Sequence, residues 1–168
     1  MKLNIQLALP DQSISHFVHS FWMLGNKTGE DIPSTILPNG MVDMTLIKIK
    51  SAHWEMFLRG IDTEPSQVVI EKETKIFAIG LKLLAVEYSL GDSIKDVLNE
   101  GKKFSNDFWQ FEEIDMSSLE NFCNTATQKI KSISTENIDI NKDLRKAIPV
   151  EEQYSFNLDM RKQLGLDK

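Results

Sequence analysis

Asp43 and Arg59 are charged residues set inside otherwise apolar runs, and Trp22, Trp54, Phe57 and Phe77 supply aromatic surface in the same half of the chain. A small-molecule site has this composition, mostly apolar with a few placed polar groups. Each aromatic fits an ordinary sheet core equally well. Asp43 also has two readings. It either contacts a ligand, or forms a local hydrogen bond that fixes the Asn39-Gly40 turn. An Asp43–Arg59 pair serves both, because it neutralises a buried carboxylate and can exchange partners with a charged ligand.

Other chemistry finds fewer supports. His16 and His19 are three residues apart, a spacing that meets on one helical face, but zinc and iron sites need three or four ligands and His53 stands alone. No metal site and no cofactor are expected. Cys123, the one cysteine, lies mid-stripe on an expected helix, where a thiol behaves as a small hydrophobe. No Gly-x-Ser-x-Gly elbow, phosphate-binding loop or dinucleotide fingerprint occurs. Glu112-Glu113 fits a solvated face. No catalytic residue is assigned, and the expectation is a binding protein, not an enzyme.

These residues need a scaffold. The 168 residues suffice for one buried core, or one domain with a helical appendage. The net charge of −6 gives no whole-chain case for nucleic-acid binding. One cysteine allows no internal disulfide, and no apolar run approaches the length of a membrane span. Residues 1–7 alternate like a strand and do not resemble a signal peptide, so a cytoplasmic protein without membrane contact is expected.

Leu3, Ile5, Leu7 and Leu9 share one face at period two, and Pro10 ends that run. Further strands are expected over 18–24, 35–37, 41–50, 53–61, 67–71 and 74–82, with 25–29 as a surface loop. Short helices are expected over 84–90 and 92–98. Ser117-x-x-Glu120 fits a capping box for a longer helix, along which Leu119, Phe122, Cys123, Ala126, Ile130 and Ile133 form one stripe. That stripe is either core or a homodimer seam through Leu119, Phe122, Ala126 and Ile130. Two more helices fit 141–148 and 158–164, before Pro149 and Gly165. The fold expectation is α+β, a small antiparallel barrel or sandwich followed by C-terminal helices. Residues 1–115 make the β-rich part, 116–136 the packing or dimerisation helix, and 137–168 the terminal helices.

A resemblance adds to this reading. Ile36-Leu37-Pro38-Asn39-Gly40-Met41-Val42-Asp43-Met44 follows His16-Phe17-Val18-His19-Ser20-Phe21-Trp22, and precedes Phe57-Leu58-Arg59-Gly60 and Phe77-Ala78-Ile79-Gly80-Leu81-Lys82. That order resembles the N-terminal sensor domain of a subset of AraC-type bacterial transcription regulators, over about the first two-thirds of the chain. The resemblance implies a cupin-like β-domain with C-terminal helices that binds a small effector or dimerises, and so controls an attached DNA-reading domain. The sequence departs from the family at Asn39, where Asp is usual, and at Lys82-Leu83-Leu84-Ala85, where Pro-Gly is frequent. The family's double helix-turn-helix is at most begun, with Leu164-Gly165-Leu166 as a candidate turn just before Lys168. Specific operator binding by these residues alone is therefore not expected. A free-standing binding or dimerisation module and a small β-barrel enzyme are the alternatives.

Overall fold

Apolar residues at period two build most of this molecule. The computed structural model describes residues 3–50, 52–83, 85–86, 98–105 and 108–136. Strands β1 (Asn4–Ala8), β2 (Val18–Gly25), β3 (Ile32–Ile36), β4 (Val42–Ile49), β5 (Glu55–Arg59), β6 (Ser66–Ile70), β7 (Thr74–Leu81) and β8 (Gly101–Phe104) come first. A 3-10 helix (Phe108–Glu113) and the helix α1 (Leu119–Glu136) follow. Six strands pair in the order β1-β2-β7-β4-β5-β8, while β3 and β6 make a separate ladder; every pairing is antiparallel. The result is an open, sandwich-like β fold with one C-terminal helix among the described residues.

Strand periodicity divides the large sheet into two faces. Phe21, Met23, Met44, Leu46, Met56, Leu58, Phe77 and Ile79 are buried on one of them. Helix α1 covers this face. The Phe122 ring lies 4.9 Å from that of Phe77 and 6.0 Å, edge-on, from that of Phe21. Leu119, Phe122, Ala126 and Ile130 are all buried within the single chain, so the stripe is spent on the core. Each large side chain buried there contributes about 1.5–3 kcal/mol.

The other face carries Trp22, Ala78, Thr45 and Phe57 as one row, and the β3–β6 ladder lies on this side. Two side chains of this face tie the ladder down. At one end Arg59 donates to Ser66 Oγ at 3.0 Å, and at the other the Asn26 amide donates to the Ile70 and Glu71 carbonyls at 2.9 Å.

Several expectations shift. Strand β3 begins three residues early and contains Pro33, which a ladder paired on one side only accommodates. Strand β8 forms in the Lys102-Lys103 stretch, where no alternation marks it, by adding to the β5 edge. The helix cap is Ser118, whose Oγ accepts the Asn121 N–H at 3.1 Å. Ser117 is held one step outside the helix, because its own N–H donates to Asp115 Oδ1 at 2.8 Å. Ile5 and Leu7 do share a face, but on edge strand β1 they are 64 % and 70 % exposed. The helices expected over 141–148 and 158–164, and most of 84–90 and 92–98, lie outside the described residues. Among those described, no helix is long and apolar enough to cross a membrane.

Candidate functional site

Three strand registers bring the site together. Gly80 on β7 is the Cα partner of both Ser20 on β2 and Asp43 on β4, and Asp43 in turn is opposite Arg59 on β5. The neighbouring row runs Trp22, Ala78, Thr45, Phe57. The floor of the site is thus Ser20, Gly80, Ala78 and Thr45, all small and buried, with half-buried Trp22, Phe57 and Arg59 around it. Gly80 is required by proximity. A Cβ there would meet Ser20 Oγ at 3.0 Å and Asp43 Oδ1 at 3.4 Å.

Asp43 is 6 % exposed. Burial pushes its carboxyl group above the usual aspartate value of 3.8, against the opposing effects of hydrogen bonds from Trp22 and Asn39 and the charges of Arg59 and His19. Trp22 Nε1 donates to Asp43 Oδ1 at 3.2 Å. Asn39 also holds the turn, since its Oδ1 accepts the Met41 N–H at 3.0 Å while Gly40 takes a φ of +66°. Asp43 therefore makes the local turn contact and still lines the site.

The expected Asp43–Arg59 pair does not form. Arg59 Nε and Nη2 donate to Asp62 Oδ2 at 2.9 and 2.7 Å. Asp62 is more exposed than Asp43, whereas burial favours the neutral form of Asp43. Of the six ligand-contact candidates, Trp22, Asp43, Phe57 and Arg59 lie on this face. Phe77 and Trp54 do not. Phe77 is fully buried on the opposite face, with Trp54 packed 5.9 Å from it between ring centroids.

Sequence reasoning overlooked Ser20, Thr45 and Gly80. Gly80 carried a usable signal, because glycine inside a strand of large apolar residues marks close approach by a neighbour. No triad is built here. His19 Nδ1 lies 3.3 Å from Ser20 Oγ, but Asp43 bonds Trp22 and Asn39 and does not orient His19. Burial pushes the Cys123 thiol up, which leaves it unactivated. Among the described residues no group of three or more His, Cys, Asp or Glu is placed to hold a metal ion.

The model of a family described as a domain of unknown function, DUF6597, matches residues 6–101. This chain belongs to the DUF6597 family. No curated protein and no solved structure matches the chain. The matched DUF6597 segment contains the whole row from Ser20 to Arg59, together with Trp22, Phe57 and Asn26, and ends before α1. A carboxyl group held toward its protonated form can both donate to and accept from a ligand hydroxyl or amide. Ionised, it pairs with a cation.

Proposed function

We propose that the chain is the effector-binding and dimerisation domain of an AraC-type transcription regulator, acting on a DNA-binding domain that these residues only begin. One observation carries this reading: a buried carboxyl group on a floor of small residues, flanked by Trp22, Phe57 and Arg59, on the sheet face that α1 leaves uncovered. An effector contacting Asp43 from the β3–β6 side would favour one placement of that ladder over another, and such differential affinity is what control requires. In this reading the two sheets are an open form of a cupin-like barrel, helices beyond α1 lead toward the DNA-reading part, and the protein works in the cytoplasm without a cofactor or catalytic residue. It also includes a homodimer. With the α1 stripe buried, exposed Ile5, Leu7 and Leu9 are an apolar surface open to that contact.

Two measurements test the reading. The intact mass of the protein in its source cells should exceed 19.2 kDa by a helix-turn-helix domain. A species of 19.2 kDa would instead indicate a stand-alone binding module. A thermal-shift screen of small hydroxylated and amide compounds should yield ligands that stabilise the native chain and lose at least about tenfold in affinity with Asp43→Asn, as expected when a buried polar contact is removed. Ligands that ignore the substitution would move the site elsewhere.

A further inference from the structure

The opposite face of the sheet ends in a cluster of like charges. Lys48 on β4 and Lys75 on β7 are direct Cα partners, and like charges placed opposite each other across an antiparallel pair repel. With Lys50 they line a cleft of about 440 Å³, completed by Trp54, Glu73, Ile114 and Met116. That volume lies within the range of small-molecule sites. The cleft sits where the segment leading from the 3-10 helix to α1 crosses the strand ends. It is separate from the Asp43 face.

No carboxylate among the described residues lies within 4.0 Å of Lys48, Lys50 or Lys75. Lys75 donates to the Met116 carbonyl at 2.8 Å and stands 4.9 Å from the Phe77 ring centroid. Burial, then the charges of Lys27 and Lys48, push its pKa down, and Asp115 acts weakly in the opposite sense. Lys48 Nζ lies 5.8 Å from the Trp54 ring centroid. An acidic chain has thus concentrated cations around an indole. Three lysines against Glu73 give the lining an excess of positive charge, to which nearby Lys27 adds and from which Asp115 subtracts, and such a cleft suits an anion.

We propose that this cleft binds a phosphate monoester carrying a planar ring, with the phosphate between Lys48, Lys50 and Lys75 and the ring against Trp54. Ammonium groups bind phosphate oxygens through charge-assisted hydrogen bonds, and the ring adds apolar area and stacking. Arrival of the dianion would relieve the Lys48–Lys75 repulsion, so binding should also raise the thermal unfolding midpoint.

Isothermal titration of the 168-residue chain at constant ionic strength tests this, using phenyl phosphate, inorganic phosphate and phenol as probes. The expected result is a saturable single site, with phenyl phosphate held at least about tenfold more tightly than either fragment. Lys50 is exposed, so Lys50→Met leaves the fold intact and should weaken phenyl phosphate several-fold, and Lys75→Met should weaken it further. Trp54→Leu should abolish the preference for phenyl phosphate over inorganic phosphate. A response no different from that to chloride would overturn the proposal. So would an affinity for phenol equal to that for phenyl phosphate, or one unchanged by Lys50→Met in a protein that melts normally.

Discussion

Trp22 and Asp43 lie two strands apart and still touch, the indole Nε1 donating to Asp43 Oδ1 at 3.2 Å. Between the two side chains the intervening strand presents Ala78 and Gly80, so nothing taller than a methyl group intervenes. The hydrogen bond opposes the burial that pushes the carboxyl group toward its protonated form. Trp22→Phe keeps the ring and removes the donor. The Asp43 carboxyl should then titrate at higher pH than in the native chain, as followed by carbon NMR of the labelled side chain. A titration that stays in place or moves down would show that the indole does not hold the charge.

Asp43 also sets a pH dependence of stability. Its folded pKa is raised, so the folded state binds more protons than the unfolded state as pH climbs past the usual aspartate value of 3.8. Stability is therefore lost between that value and the folded pKa, and the loss persists at neutral pH. Asp43→Asn retains an oxygen for the Trp22 N–H and carries no charge. Urea unfolding of both proteins from pH 3.5 to 8 should show the variant gaining on the native chain as pH rises. A gap that closes with rising pH would reverse the assignment.

Gly80→Ala should cost about 1–2 kcal/mol, since the new Cβ meets Ser20 Oγ at 3.0 Å and the strand must shift. Ser20→Ala removes that oxygen. The double variant should recover part of the loss, giving a coupling of at least about 0.5 kcal/mol in denaturant unfolding. Additive effects would mean that the strain lies elsewhere.

Asn26 shows what one side chain can organise. Its amide nitrogen donates to the carbonyls of Glu30, Ile70 and Glu71, and its Oδ1 accepts from the Thr28 N–H and hydroxyl. Asn26→Ala leaves these groups without partners and frees one end of the β3–β6 ladder. A loss of about 2–4 kcal/mol is expected, with amide exchange rising first in residues 30–36 and 66–71.

Asn26 also marks where the sequence stopped being legible. Gly25-Asn26-Lys27-Thr28-Gly29 reads as a surface loop by composition, and only tertiary contacts make its asparagine a buried hub. Of the long strands, β2 was readable because period two records its buried face, and β7 because a nearly continuous apolar run marks burial on both faces. Strand β8 was not, because an edge strand with exposed Gly101, Lys102 and Lys103 needs no apolar alternation. Asp43 stood out because a carboxylate inside a strand is costly. The identity of its partner was not legible, since register determines which residues face each other and Asp62 competes for Arg59 from only three positions away.

Ala126 distinguishes the two uses of the α1 stripe. A seam residue changed to glutamate gives a folded monomer. A core residue changed in the same way buries an unpaired charge and has no room for its extra atoms. Ala126 is fully buried, as is Phe122, whose ring packs tilted against that of Phe77. Ala126→Glu should therefore cost about 3–5 kcal/mol and undock α1 from the sheet, lowering the thermal midpoint and exposing apolar surface to a dye such as ANS. Phe122→Ala should cost a similar amount through the cavity it leaves. If Ala126→Glu instead melts like the native chain and merely halves the mass in sedimentation, the stripe is an interface and the packing of α1 described above does not hold in solution.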